Sequence, residues 1–173
     1  MTAARTVTAA TIEHLLASPL HRYEGRPSDG ALPADGPELR DRIELREGLG
    51  IVGDRYFGHA AHRNAAVTIM AAESLDWVAE TLQLDAVPDS AATRRNILVR
   101  GLDIDGMRGA TFSLDSGDGP VLFRATRPAN PCGWMDAELA PGAHRALLRR
   151  GGMRCAVLSD GVLTLGPATV TLQ

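Results

Sequence analysis

Short stretches in which apolar and polar positions alternate run along most of this chain, separated by glycine, proline and aspartate. The pattern predicts many short strands and few helices. Thr6 to Leu16 mixes β-branched and apolar residues and reads as an opening strand that stops at Ser18-Pro19. Tyr23 to Pro37, rich in Gly, Pro, Asp and Ser, reads as a long surface loop. Arg42 to Arg46 alternates as a half-buried strand would, and Glu47 to Gly50 turns it into Ile51-Val52-Gly53-Asp54. After the compact apolar run Val67 to Met70, the helical spacing of Leu75, Val78, Ala79 and Leu82 predicts a helix over Ala71 to Leu84.

Arg95 to Val99 is a further strand, closed by Gly101. Thr111 to Leu114 and Val121 to Thr126 flank Asp115 to Pro120, whose glycines and aspartates suit a hairpin turn. A second helical region follows Cys132 and is split in two by Pro141-Gly142, since proline disrupts a helix interior but suits a first turn. Met153 to Leu158, Val162 to Leu165 and Ala168 to Leu172 read as a closing meander, with Met153, Cys155 and Val157 on one buried face. The expectation is one domain over residues 1–173, mainly β and barrel-like, with a few helices covering it and some α+β character.

Composition narrows the setting without changing that picture. At 173 residues the chain can bury a full core, and 45% hydrophobic and 23% charged residues are ordinary for a globular protein. A net charge of -3 argues against a general nucleic-acid or membrane binder. The N-terminus has no apolar core of signal-peptide length, so a cytosolic location and two free thiols are expected. All 18 basic residues are arginine. Lysine Schiff-base and phosphate-loop lysine chemistry are therefore excluded, and any anion must be held by guanidinium groups, backbone N–H groups or helix ends.

The candidate chemistry centres on Cys132, between Pro131 and Gly133 at the entry to a helix, with Arg127 and Asn130 nearby. A helix start and guanidinium groups both favour a thiolate there; burial as a small hydrophobe is the other reading. The loop from Asp54 and Arg55 through His59, His62 and Arg63 offers a His-x-x-His pair but no third ligand for zinc, and a polar turn tied down by Asp54 is the alternative. In Arg94-Arg95-Asn96 the two arginines, on an extended chain, point to opposite faces and cannot form one clamp. Asn96 suits the amide edge of a purine or pterin-like ring, or a loop brace. Arg149-Arg150-Gly151-Gly152 suits a helix end with a glycine cap.

Taken in order, Gly48 to Tyr56, Val67 to Ser74, Arg94 to Ile97, Pro131-Cys132 and Arg150 to Gly152 resemble the MOSC domain, the carboxy-terminal module of molybdenum-cofactor sulfurases that also occurs as stand-alone bacterial proteins. The resemblance implies a β-barrel that binds the pyranopterin molybdenum cofactor, with Cys132 as catalytic residue and molybdenum ligand or as carrier of sulfur. It matches Arg94 and Asn96 to an Arg-x-Asn placed at the cofactor; the loop from Asp54 and Arg55 through His59, His62 and Arg63, with Arg127 and Asn130 near Cys132, completes the candidate cofactor-binding set. Gly166-Pro167 departs from the Gly-Asp of many relatives. Some relatives reduce N-hydroxylated small molecules. That activity implies a separate electron-donor reductase, because the chain has no flavin motif or iron–sulfur ligands. A non-catalytic carrier of the cofactor, or of a Cys132 persulfide, served by a cofactor-supplying protein, is the alternative. A third reading makes Cys132 a nucleophile with His59 or His62 as base.

Overall fold

The computed structural model describes residues 5–173; the first four, part of the stretch read above for a leader, lie outside it. Seven strands close a barrel in the order β1 (Val7–Leu15), β10 (Gly166–Leu172), β6 (Thr111–Asp115), β7 (Pro120–Pro128), β8 (Met153–Val157), β4 (Val67–Ala71), β5 (Ile97–Arg100), and back to β1. Every neighbouring pair is antiparallel except β4 and β5, which run parallel. A parallel pair needs a crossover, and the connection between these two carries the helix α1 (Glu73–Thr81). A separate three-stranded sheet sets β2 (Arg42–Arg46) between β3 (Gly50–Ile51) and β9 (Gly161–Thr164).

Strand alternation explains the core. In β8, Met153, Cys155 and Val157 point into the barrel, where they meet Ile69, Phe112 and Phe123. The phenyl rings of Phe112 and Phe123 stack at 5.7 Å between centroids. A second apolar cluster lies on the outside of the wall, where Met70 and Leu98 are covered by Leu75 and Val78 of α1 and by Trp134, Met135 and Leu147. Those last residues belong to α2 (Gly133–Glu138) and the region of α3 (Ala143–Ala146), the split pair expected around Pro141-Gly142. Among the described residues no helix is long and apolar enough to cross a membrane.

Two expectations need correcting. The last three strands form no meander. β8 lies between β7 and β4, β9 leaves the barrel to pair with β2, and β10 returns between β1 and β6. Short spacing implied adjacency, but the barrel wall could close only if the final strand reached β1. The helix expected over Ala71 to Leu84 is also shorter: β4 takes Ala71, and Gln83 adopts a left-handed φ of 52° that stops the helix.

Burial at Cys155 gives a direct test of the barrel interior. The thiol, with no exposed surface, has only Met153 O within 3.8 Å as a polar neighbour, and burial pushes its pKa far up. Cys155→Ser is expected to cost about 1–3 kcal/mol, because serine brings a hydroxyl that needs a stronger partner than this site offers. Chemical denaturation against the parent measures it.

His14 ties β1 to the segment that precedes β5. Its Nδ1 lies 2.8 Å from Ser90 Oγ and its Nε2 3.0 Å from Arg95 O. Burial holds its pKa below the ordinary 6.5, although the bond to Arg95 and the charge of Asp89 work the other way. The unfolded chain therefore takes up a proton near pH 6.5 that the native state refuses, so stability present above that pH is lost as pH falls through it. The urea midpoint is expected to drop between about pH 7.5 and about pH 5.5, and to drop less in His14→Gln.

Candidate functional site

On β4 and β8 the residues that alternate with the barrel core face outward. Thr68 and Arg154, which are register partners, stand side by side on this outer wall. A cavity of about 170 Å3 opens over them, bounded by the Arg94-Arg95 corner, by Arg55 and Tyr56 of the loop after β3, and by the Asn130-to-Met135 segment that carries Cys132. Cys132 is exposed and occupies the N-cap of α2 in extended conformation (φ -142°), so its carbonyl accepts the first turn's N–H from Met135 at 2.9 Å while its side chain is left at the cavity.

Arg94 and Arg95 both line this cavity, against the expectation of opposite faces. The reason is local: Arg94 caps a short 3-10 helix (Ser90–Thr93) with φ 57° and ψ 20°, so the chain turns at Arg94 and the alternation of an extended strand does not apply. Arg94 pairs with Glu38 at 2.8 Å, donates to Leu20 O, and lies 5.9 Å from the centroid of the Tyr23 ring. Arg95 donates from Nε to Gly151 O and from an Nη to Ala129 O, both at 2.8 Å, and so ties the loop before Cys132 to the Gly151-Gly152 turn. Burial and the charge of Arg154 lower its pKa to about 10, while the Cys132 sulfur acts in the opposite sense.

Asp54 and Asn96 lie behind this surface as braces. Asn96 is fully buried: Thr68 N and Oγ1 donate to its Oδ1, and its Nδ2 donates to Leu16 O and to Asp54 Oδ1. Asp54 also accepts from the backbone N–H groups of Ser18 and Tyr56. The amide edge of Asn96 is thus fully spent on the protein itself. Arg55 reaches from this brace into the cavity, pairing with Asp54 at 3.3 Å and donating to Arg94 O, while its Nε is buried without a partner.

The remaining sequence candidates sit at or beyond the rim. Asn130 lines the cavity. Arg127, the register partner of Arg154, is exposed and does not line it. His62 packs its ring against Tyr56 at 4.5 Å, one residue behind the wall, and its pKa is lowered by burial and by Arg154, His59 and Arg127. His59 and Arg63 flank the short 3-10 helix Ala60–His62 in the open and do not reach the cavity. Neither histidine lines the space in front of Cys132, which removes the geometric basis for pairing them with it as a base. Among the described residues no group of three or more His, Cys, Asp or Glu is arranged to hold a metal.

Several lining residues went unremarked in the sequence. Tyr23 stacks on Trp134 at 4.6 Å, nearly coplanar, and its hydroxyl donates to Ala92 O. Burial and Glu138 raise its pKa to about 12. His21 and Arg154 line it as well. Arg154 was legible in principle, since it alternates with the core residues Met153 and Cys155. His21 and Tyr23 lie at the start of a stretch that resembled plain loop and gave no signal.

The wall therefore combines one exposed thiol with four guanidinium groups and no carboxylate. Such a surface suits an anion-bearing ligand with a soft centre that a thiolate can reach. The family model of the MOSC domain matches residues 55–169, from Arg55 at this wall through Cys132 to β10. No curated protein matches the chain. Among solved structures it is similar to the YuaD protein from Bacillus subtilis, at 15% identity, a TM-score of 0.70 and 98% coverage of both chains. It is also similar to YiiM from Escherichia coli, at 17% identity and a TM-score of 0.54, covering 92% of this chain and 69% of that one. YiiM from Geobacillus stearothermophilus is 22% identical with a TM-score of 0.50, over 63% of this chain and 54% of that one. At these identities the likeness concerns the fold.

Proposed function

We propose that this chain, which belongs to the MOSC domain family, holds a molybdenum cofactor against Cys132 and reduces N-hydroxylated small molecules. The family is associated with that cofactor. The observation that carries the reading is the wall itself, a thiol and four arginines with no carboxylate around one cavity. The orphaned, buried Nε of Arg55 fits as well, because a buried donor without an acceptor is costly unless a ligand satisfies it.

Cys132 would supply the soft protein ligand, and Arg55, Arg95 and Arg154 would meet the anionic part of the pterin. Bound there, the group supplies a redox-active metal at which a substrate oxygen can be removed. The chain's own contribution is placement. Arg95 holds the Cys132 loop against the Gly151-Gly152 turn, and the Asp54–Asn96 brace fixes the loop that carries Arg55. The guanidinium groups that line the cavity favour negative charge in it. Cleaving the N–OH bond takes up an electron pair and two protons and releases an amine and water; the electrons come from a separate donor protein.

The test is to purify the full chain from a host that makes the cofactor, measure molybdenum and pterin, and assay benzamidoxime with reduced methyl viologen. Near-stoichiometric metal with turnover is expected. Metal without turnover by any reductant would reject the reductase and leave a carrier, and metal near zero after reconstitution would reject both.

A further inference from the structure

Away from the Cys132 cavity, the end of α3 presents an arginine-rich apolar face. Leu148, 57% exposed, separates two recesses. The first, about 410 Å3, lies between α1 and α3 and is lined by Trp77, Arg145 and Arg150. The second, about 450 Å3, runs from Leu148 and Arg149 to Asn130 and Pro131, beside Cys132. Trp77 is 39% exposed. Its indole N–H donates to Ala146 O at 3.1 Å, and the Arg150 guanidinium lies 4.4 Å over its ring. The aromatic ring is thus fixed in place, with a cation stacked on it.

Arg145, Arg149 and Arg150 are all exposed, and among the described residues none forms an ion pair. No carboxylate lines the first recess. In the second, Asp105 uses Oδ1 to accept from Gly152 N at 2.9 Å. On a chain with a net charge of -3, this face thus carries three exposed guanidinium groups outside any ion pair. Exposed apolar residues ringed by unpaired arginines are the makings of a protein interface, with aromatic and arginine anchors and sign complementarity to guide encounter.

We infer that this face docks an acidic electron-carrier protein, whose carboxylates meet Arg145, Arg149 and Arg150 while an apolar spot covers Leu148 and Trp77. Charge chooses the partner's sign. Position chooses its role, because the second recess ends at the segment that carries Cys132, which brings the carrier's redox group to that side of the site. The inference rests on the reductase reading for its purpose: the carrier is oxidised as the N–O bond is reduced, with protons drawn from solvent.

The probe is reduced flavodoxin, a small acidic flavoprotein, mixed with the molybdenum-loaded full chain and benzamidoxime. Flavodoxin-driven turnover is expected to fall steeply with added salt. In Arg145→Glu/Arg150→Glu the KM for flavodoxin should rise about tenfold or more, with viologen-driven turnover unchanged. Leu148→Asp, which alters no arginine, should weaken flavodoxin in the same direction. Equal use of flavodoxin by parent and charge-reversed protein overturns the inference. Should the parent fail with viologen, the reductase reading falls, and the face is then judged by flavodoxin binding in calorimetry. Salt-sensitive binding lost in the variant supports it, and no binding by the parent at low salt overturns it.

Discussion

Cys132→Ser protein, made in a cofactor-producing host, is expected to carry almost no molybdenum and to show no N–O reductase activity, while melting within about 2 °C of the parent. The two halves of this expectation have separate physical causes. A serine hydroxyl stays protonated near neutral pH and is a hard oxygen donor, so it replaces neither the charge nor the softness of a thiolate ligand. Stability barely moves because Cys132 is exposed at the N-cap of α2, makes no side-chain cap bond and packs into neither apolar cluster. Serine is moreover a good N-cap residue. Metal analysis and a thermal melt on one preparation check both halves. Full metal content in the variant would remove Cys132 from its assigned role.

Gly152→Ala is expected to produce the largest loss of stability of any single change considered, about 4 kcal/mol or more, and to take the cavity with it. Gly152 sits at φ +85°, and a Cβ there would overlap Ile69 O and approach Met70 Cα to 2.9 Å. Both are backbone atoms of β4 at the centre of the barrel wall, so no side chain can swing away to make room. The turn is also fastened: Gly152 N donates to Asp105, Gly152 O accepts from Ala129 N, and the neighbouring Gly151 O accepts from Arg95. Displacing it would release Arg95 and the Cys132 loop together. Expression yield and denaturation midpoint measure the loss. A variant folding at parental stability would show that the turn can shift without cost.

Much of the architecture is legible in the alternation of the sequence, because a barrel wall has one apolar face and short strands betray it. β2, β6, β7 and β8 fall where their pattern puts them, and the Asp115-to-Pro120 hairpin joins β6 and β7 as expected. Pairing order is less legible. Nothing in Val162 to Leu165 says that its partner is β2, more than a hundred residues earlier, because partner choice depends on how the closed wall distributes its edges.

The candidate site divides along a similar line. Cys132 and Asn130 were readable from the loop motif, and Arg55 and Arg94 from resemblance, and the structure brings all four to one cavity. What could not be read was division of labour. Asn96 suited either a ligand-binding amide or a brace, and the choice of the brace depends on Leu16, Asp54 and Thr68, which only the tertiary structure places around it. Arg95 seemed to point away from its neighbour until the left-handed turn at Arg94 brought it round.

The strand order has a further consequence for how the chain is made. β1 closes the barrel between β5 and β10, so it cannot complete its ladder until Gly166–Leu172 has left the ribosome. Until then the nascent chain has its β1 and β6 edges open on the side that β10 will fill. The helices and the β6–β7 hairpin are local and can form early, but the cavity wall at β4 and β8 firms up only with the barrel. The cavity beside Cys132 therefore takes its final shape only after β10 has emerged, and a ribosome stalled within β10 would hold a chain prone to pair edge to edge with its neighbours.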